Sequence, residues 1–137
     1  MPFVVDASVA LAWCFEDEAN AHTEAVLDLL ADDTTIVPSL WELEVSNVLL
    51  LGERRRRLTE SQTTRFVALL GQLPILVDSA STDMAAVIAL GRQYTMTAYD
   101  AAYLALAQRE GVPLASLDRK LREAAQVSGV RLIPEVK

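Results

Sequence analysis

The chain has 137 residues, 52% of them hydrophobic and 23% charged, and its 12 Lys and Arg against 19 Asp and Glu leave a formal net charge of −7. Such a balance fits one globular domain over residues 1–137 that buries roughly two-thirds of its unfolded surface. It argues against a basic protein that coats duplex nucleic acid through many Lys and Arg contacts, so a polyanionic substrate would need help from a metal.

The first apolar run, "FVV" (3–5), predicts a strand and halts at Asp6, after which small-residue helical spacing covers 8–15. No basic region precedes that run, and no window approaches roughly 18 uninterrupted apolar residues, so neither a secretory address nor a membrane span is expected. Cys14 stands alone, which rules out an intrachain disulfide and suits a reducing, cytosolic setting. A helix over 18–32 and a strand at "TIV" (35–37) follow. The next helix, 39–53, opens on "SLWE", and the helix at 59–71 opens on "TESQ", each with capping-box spacing. Arg54, Arg55, Arg56 and Arg57 join these two helices and form the one block of like charge. Beyond them come the strand "ILV" (75–77), helices over 81–93 and 98–110, the strand "PLAS" (113–116), a helix over 118–127 and the strand "RLI" (131–133). This alternation predicts an α/β fold, a three-layer α/β/α sandwich with a central parallel sheet of about five strands.

Helical phase separates the acids. At 100° per residue, Glu42, Ser46 and Glu53 share one side of the 39–53 helix, its wet face. Glu44 falls opposite, on the stripe of Leu40, Trp41, Val48 and Leu51, with Asn47 one turn along. A carboxylate on an apolar face costs several kcal/mol unless a cation or hydrogen bonds compensate it. In the 98–110 helix Asp100 lies with Tyr103, Leu104 and Ala107 on the inward side, although Thr97 and Asp100 also have capping-box spacing. Asp6 and Asp118 each follow a strand and open a helix, where aspartate serves as an N-cap.

Taken together the four acids say more. Ligands of an open parallel sheet collect beyond the carboxyl ends of its strands, where strand order reverses. If the first and fourth strands are neighbours, Asp6 and Asp118 meet across that crevice, and Glu44 and Asp100 complete a ring. Four carboxylates in one pocket repel and partly neutralise unless hard cations hold them ionised, and oxygen ligands suit Mg²⁺ or Mn²⁺. Ser8 and Ser116, two residues from Asp6 and Asp118, are placed to hydrogen-bond a carboxylate or a water, or to act as plain turn and cap residues.

The stretches "VVDASVAL", "VPSLWELEVSNVLL", "TAYDAAYLALA" and "PLASLDRKL" resemble, in order and spacing, the PIN domains and more narrowly the VapC ribonuclease toxins of toxin–antitoxin pairs. The likeness spans essentially the whole chain. It implies that Asp6, Glu44, Asp100 and Asp118 are the acidic quartet that binds divalent metal and supports phosphodiester hydrolysis, leaving 5′-phosphate and 3′-hydroxyl ends. Asn47 and Ser116 would be accessory, with serine where the family often has threonine. It also implies a VapB-like antitoxin near the first helices, an RNA substrate and a homodimer. The single histidine, His22, lies in a polar stretch and is expected at the surface, so a two-histidine ribonuclease mechanism lacks its residues. Trp13 and Phe15 read first as core and second as partner anchors. The arginines suit a solvated helix end, and four of them also suit the steering of an RNA backbone. Two other readings stand beside the nuclease. One is a receiver-type Mg²⁺ domain with Asp78 as phosphoacceptor, which lacks a lysine after the last strand and paired acids after the first. The other is a catalytically silent PIN-like interaction module, which predicts a degraded acidic set.

Overall fold

Three consecutive apolar residues without polar alternation suit a strand covered on both faces, and Phe3, Val4 and Val5 are all buried. They form β1 (Phe3–Val5) at the centre of the computed structural model, which describes residues 2–15 and 19–134. Parallel neighbours lie on both sides, β2 (Thr35–Val37) and β4 (Leu114–Ala115), and β3 (Ile75–Val77) adds to β2 in the order β3-β2-β1-β4. Fully buried Thr35 ties β2 to β1, its hydroxyl donating to the Phe3 carbonyl at 2.9 Å.

Among the described residues the sheet has four strands rather than five. At the "RLI" segment only Leu132 pairs, bridging Leu114 in parallel through Leu114 N–H to Arg131 O (2.9 Å) and Ile133 N–H to Leu114 O (3.1 Å). Pro134 follows at once and has no N–H with which to extend the ladder.

Seven helices link the strands among the described residues: α1 (Ala7–Ala12), α2 (Ala21–Leu29), α3 (Leu40–Arg54), α4 (Glu60–Gln72), α5 (Met84–Tyr94), α6 (Ala98–Glu110) and α7 (Arg119–Ser128). α1 packs on α2 and α3, whereas α6 sits on β1 and β4 and also packs on α5 and α7. α6 and α7 stop at Gly111 and Gly129, whose φ values of 65° and 85° suit residues without a Cβ. No helix is long and apolar enough to cross a membrane among the described residues.

Helix starts differ from expectation in instructive ways. α2 begins later than residue 18 because Asn20 and Thr23 form a reciprocal capping box, with Thr23 N–H to Asn20 Oδ1 at 2.9 Å and Asn20 N–H to Thr23 Oγ1 at 3.0 Å. Glu18 itself lies outside the described residues. Likewise Asp83 caps α5 through Ala86 N–H at 3.1 Å. The "SLWE" box does not form. Ser39 is already helical (φ −58°, ψ −30°), its side chain makes no cap bond, and the Trp41 N–H turns back to the Pro38 carbonyl at 3.0 Å. The "TESQ" box forms as expected, with Gln62 N–H to Thr59 Oγ1 at 3.1 Å and Thr59 N–H to Gln62 Oε1 at 2.8 Å.

Phe15 is core, Trp13 is half-buried with its indole N–H on the Thr23 carbonyl at 2.9 Å, and Arg57 stacks 4.4 Å over the Phe15 ring. His22 departs from its expected place at the surface. It is half-buried, its Nε2 has no hydrogen-bond partner among the described residues, and burial together with the charge of Arg122 holds its pKa below the usual histidine value.

The caps generate a paired test. Thr59→Ala removes a formed box and is expected to cost about 1 kcal/mol, whereas Ser39→Ala removes none and should cost a few tenths at most. Urea denaturation of the two variants checks this, and equal losses would show that Ser39 does cap α3.

Candidate active site

The crevice opens where the sheet reverses. Three strands run outward in the order β1, β2, β3, and β4 then returns to the other side of β1, so the carboxyl ends of β1 and β4 lie side by side. Asp6 N–H continues the ladder to the Ala115 carbonyl at 3.1 Å, which sets Asp6 beside Ser116.

Asp6 is 5% exposed and fully engaged. Its Oδ1 accepts from Ser8 Oγ (2.6 Å) and from Val9 N–H (3.2 Å), the N-cap bond of α1, while Oδ2 accepts from Ser116 Oγ (2.5 Å). Ser116 Oγ in turn accepts the Asp118 N–H at 2.9 Å, and Ser8 Oγ accepts the Leu117 N–H at 3.0 Å. The two serines thus stitch the β1–α1 turn to the β4–α7 turn. Arg122 braces the second turn from α7, its Nη1 donating to the Ser116 carbonyl at 2.9 Å.

Glu44 reaches the same place from α3. The fully buried stripe of that helix is Trp41, Val45, Leu49 and Gly52, and Glu44 rides half-buried at its edge while Glu42 is exposed. Its Oε1 accepts a hydrogen bond from the Tyr103 hydroxyl on α6. Asp100 lies one turn before Tyr103, its N–H capped by Thr97 Oγ1 at 3.2 Å, and Asp118 caps α7 through Lys120 N–H at 3.2 Å.

The electrostatics join the four acids. Burial pushes Asp6 up to about 6 against the opposing hydrogen bonds of Ser116, Ser8 and Val9, and Asp100 adds to the rise. Asp100 is itself raised, by burial first and then by Asp118 and Glu44. Tyr103 is pushed well above the ordinary phenol range by burial, by Glu44 and by Asp6, so it stays a hydrogen-bond donor.

Among the described residues no group of three or more acid, histidine or cysteine side chains is arranged to hold a metal ion as it stands. The donor chemistry nevertheless fits one. Every facing group is a hard oxygen, and none of the four acids is ion-paired to Lys or Arg among the described residues. The nearby cations are turned elsewhere, Arg122 to the Ser116 carbonyl and Lys120 to the Thr95 carbonyl at 3.3 Å. A divalent cation among these oxygens would reverse the repulsion that raises Asp6 and Asp100.

Other candidates stand apart. Asn47 is exposed one turn beyond Glu44 and hydrogen-bonds none of the four acids among the described residues. The arginine run is exposed at the far end of α3, ten residues or about 15 Å from Glu44, with Arg56 left-handed at φ 60°. Asp78 ends the edge strand β3, with β2 between it and β1, and pairs with Arg109 at 2.8 Å. A cavity of about 450 Å³ lined by Ala107, Gly111, Pro113, Gly129 and Arg131 lies at the opposite, amino end of β4 and carries no acid. Sequence reasoning missed Tyr103 and Arg122 as parts of the site. The readable signal was Tyr103, a polar tip on a buried stripe that needs a partner.

The PIN domain family model matches residues 3–127. The chain belongs to the PIN-domain family. Ribonuclease VapC3 of Pyrobaculum aerophilum is 32% identical to this PIN domain over 125 residues, covering 90% of this chain and 94% of that protein. Among solved structures, PAE2754 from Pyrobaculum aerophilum superposes with a TM-score of 0.68 at 23% identity, covering 90% of this chain and 79% of that one. VapBC2 from Rickettsia felis, bound to a DNA fragment from its promoter, gives a TM-score of 0.65 at 14% identity over 96% and 97% of the two chains. These two likenesses carry the fold, and they agree with a parallel sheet flanked by helices.

The raised Asp6 makes a signed prediction for this PIN domain without divalent cations. Its carboxyl binds a proton at about pH 6 when folded but only near 3.8 otherwise, so the folded state is the better proton binder between those values. Charged Asp6 therefore costs about 3 kcal/mol at pH 7, and that cost disappears as pH falls below 3.8. His22, held below its usual value, works in the opposite sense below pH 6.5. Its contribution cancels when two variants are compared. In EDTA, Asp6→Asn is expected to be more stable than the unmodified chain at pH 7, with the gap narrowing to about 1 kcal/mol by pH 4.5 and vanishing only below pH 3.8. A gap that stays constant in urea titrations would show that Asp6 is not raised.

Proposed function

We infer that this chain is a VapC-type endoribonuclease toxin of a toxin–antitoxin pair, and that Asp6, Glu44, Asp100 and Asp118 are its catalytic and metal-binding residues. The observation that carries this is the meeting of four acids, from four separate elements, at the β1/β4 crevice, without a basic partner among the described residues. Likeness to the VapC3 ribonuclease supports the reaction class.

Mg²⁺ or Mn²⁺ bound there would supply positive charge for the scissile phosphate and acidify a water for in-line attack. The protein's own share is arrangement. Ser8 and Ser116 fix both oxygens of Asp6, Arg122 fixes the turn that carries Ser116, and Tyr103 fixes Glu44. Asp100 and Asp118 face each other across the opening, where they orient water and take up its proton. His22, half-buried among α2 and Arg122, takes no part. Asn47 is an accessory contact for substrate at the exposed rim of α3.

The reading brings with it an RNA substrate, a VapB-like antitoxin, a homodimer and a cytoplasmic setting. The VapBC2 assembly, a complex by its own description, supports the antitoxin. In this reading Arg54, Arg55, Arg56 and Arg57, exposed at the far end of α3, meet RNA phosphates beyond the crevice. Arg57 is held against Phe15 and so anchors the run, while the other three extend into solvent.

Two experiments test this. Asp6→Asn and Glu44→Gln are expected to keep the fold and lose RNA cleavage by about 100-fold or more, because an amide cannot balance cation charge. Glu42→Gln should cleave at close to the unmodified rate. Unimpaired cleavage by Asp6→Asn would instead support a silent interaction module. For the arginines, a triple Arg54→Gln, Arg55→Gln, Arg56→Gln variant should bind RNA more weakly, its log–log salt slope falling by roughly one unit per lost phosphate contact. An unchanged slope would remove RNA from that surface.

A further inference from the structure

Tyr103 lies on the floor of the acidic crevice, 1% exposed, one turn beyond Asp100 on α6. Its hydroxyl donates to Glu44 Oε1, and the Ala7 backbone and the Asp6 carboxylate also face it. A buried phenol needs a hydrogen-bond partner. Any backbone carbonyl would have met that need, yet here the partner is a suspected cation ligand on another helix.

The consequence lies in which oxygens remain. Glu44 Oε1 is occupied by Tyr103, and Oε2 has no hydrogen-bond partner among the described residues. Asp118 differs, since its Oδ1 accepts the Lys120 N–H and its carboxylate also lies within hydrogen-bond reach of Asp100. An oxygen that already accepts a hydrogen bond keeps a lone pair but is the weaker ligand, so a carboxylate held by a donor at one oxygen binds a cation preferentially through the other. Mg²⁺ demands near-octahedral geometry from single oxygens, while Ca²⁺ takes six to eight oxygens and often gathers them through two-oxygen carboxylates.

We propose that Tyr103 is a positioning residue that selects the cation: by holding Glu44 Oε1 it makes Glu44 a one-oxygen ligand and favours Mg²⁺ over Ca²⁺. This rests on the divalent-cation reading above and adds the determinant of which cation is taken. Tyr103→Phe removes the hydroxyl and keeps the ring that fills the core. Glu44, being half-buried, then regains water at Oε1 and turns to offer both oxygens.

The test follows bound Mn²⁺ by electron paramagnetic resonance and displaces it with Mg²⁺ or Ca²⁺, in the full chain and in Tyr103→Phe. In the unmodified protein, Mg²⁺ should displace Mn²⁺ at concentrations no higher than Ca²⁺ requires. In Tyr103→Phe the Mg²⁺ to Ca²⁺ preference should shift toward Ca²⁺ by about tenfold. A structural role alone would lower the melting temperature in EDTA and weaken both competitors by one factor. A folded variant with an unchanged ratio therefore overturns the proposal while leaving the cation site standing. If the variant does not fold, the unmodified protein decides, since displacement by Ca²⁺ at lower concentrations than Mg²⁺ overturns it. Failure of the unmodified chain to bind Mn²⁺ overturns the cation reading itself, and this proposal with it.

Discussion

The parallel pairing of β1 with β4 decides where every other part of the site must be, because its register sets Val5 against Ala115 and so leaves Asp6 and Ser116 adjacent one step beyond. No other pair of strands in this sheet could do so. β2 and β3 continue in one direction from β1, whereas the return of β4 to the opposite side opens a crevice between two helix starts. α1 and α7 begin at that crevice, and their capping residues are the two aspartates. α6, seated on the same two strands, brings half-buried Asp100 and, one turn on, fully buried Tyr103 to the crevice, and Tyr103 reaches across to Glu44 on α3.

A helix cap does not account for Asp6. As an N-cap it stabilises α1 by about 1 kcal/mol, but its carboxyl is 5% exposed and pushed up to about 6, a cost of about 3 kcal/mol at neutral pH. Serine or asparagine would cap the helix without that cost. The larger magnitude belongs to the charge, so the position is explained by something that needs a charge. Asp118, at the other cap, shows the cheaper arrangement, since it is only half-buried.

Much of this was legible because it depends on short-range pattern. Four of the strands fall where unbroken apolar runs place them, and helical phase separated exposed Glu42 from half-buried Glu44 two residues away. What was not legible depends on partners distant in sequence or on a backbone detail. The "RLI" run has the pattern of a strand, yet beside β4 at the sheet edge Leu132 alone forms a bridge among the described residues before proline intervenes. Ser39 had the right neighbours for a capping box, but Pro38 had already started the turn. The polar residues around His22 in sequence suggest a surface position, whereas the folded chain half-buries it and brings it the charge of Arg122, a hundred residues on. Tyr103 was visible as an inward residue, and its partner 59 residues away was not.

An acidic protein and a polyanionic substrate are compatible only if repulsion is confined, and the layout of α1 and α3 shows how it can be. Asp6 and Glu44 mark one end of these packed helices, while Phe15, just past α1, carries Arg57 from just past α3 at the other. Negative and positive charge are thus set at opposite ends of one rigid pair, about 15 Å apart along α3. That spacing exceeds the Debye length of about 8 Å at physiological ionic strength. The arginines therefore do not quench the acids, and the acids do not mask the arginines. On the proposed reading, a divalent cation offsets the charge at one end and the arginines attract phosphate at the other, so an RNA strand could lie along α1 and α3 without either end cancelling its partner.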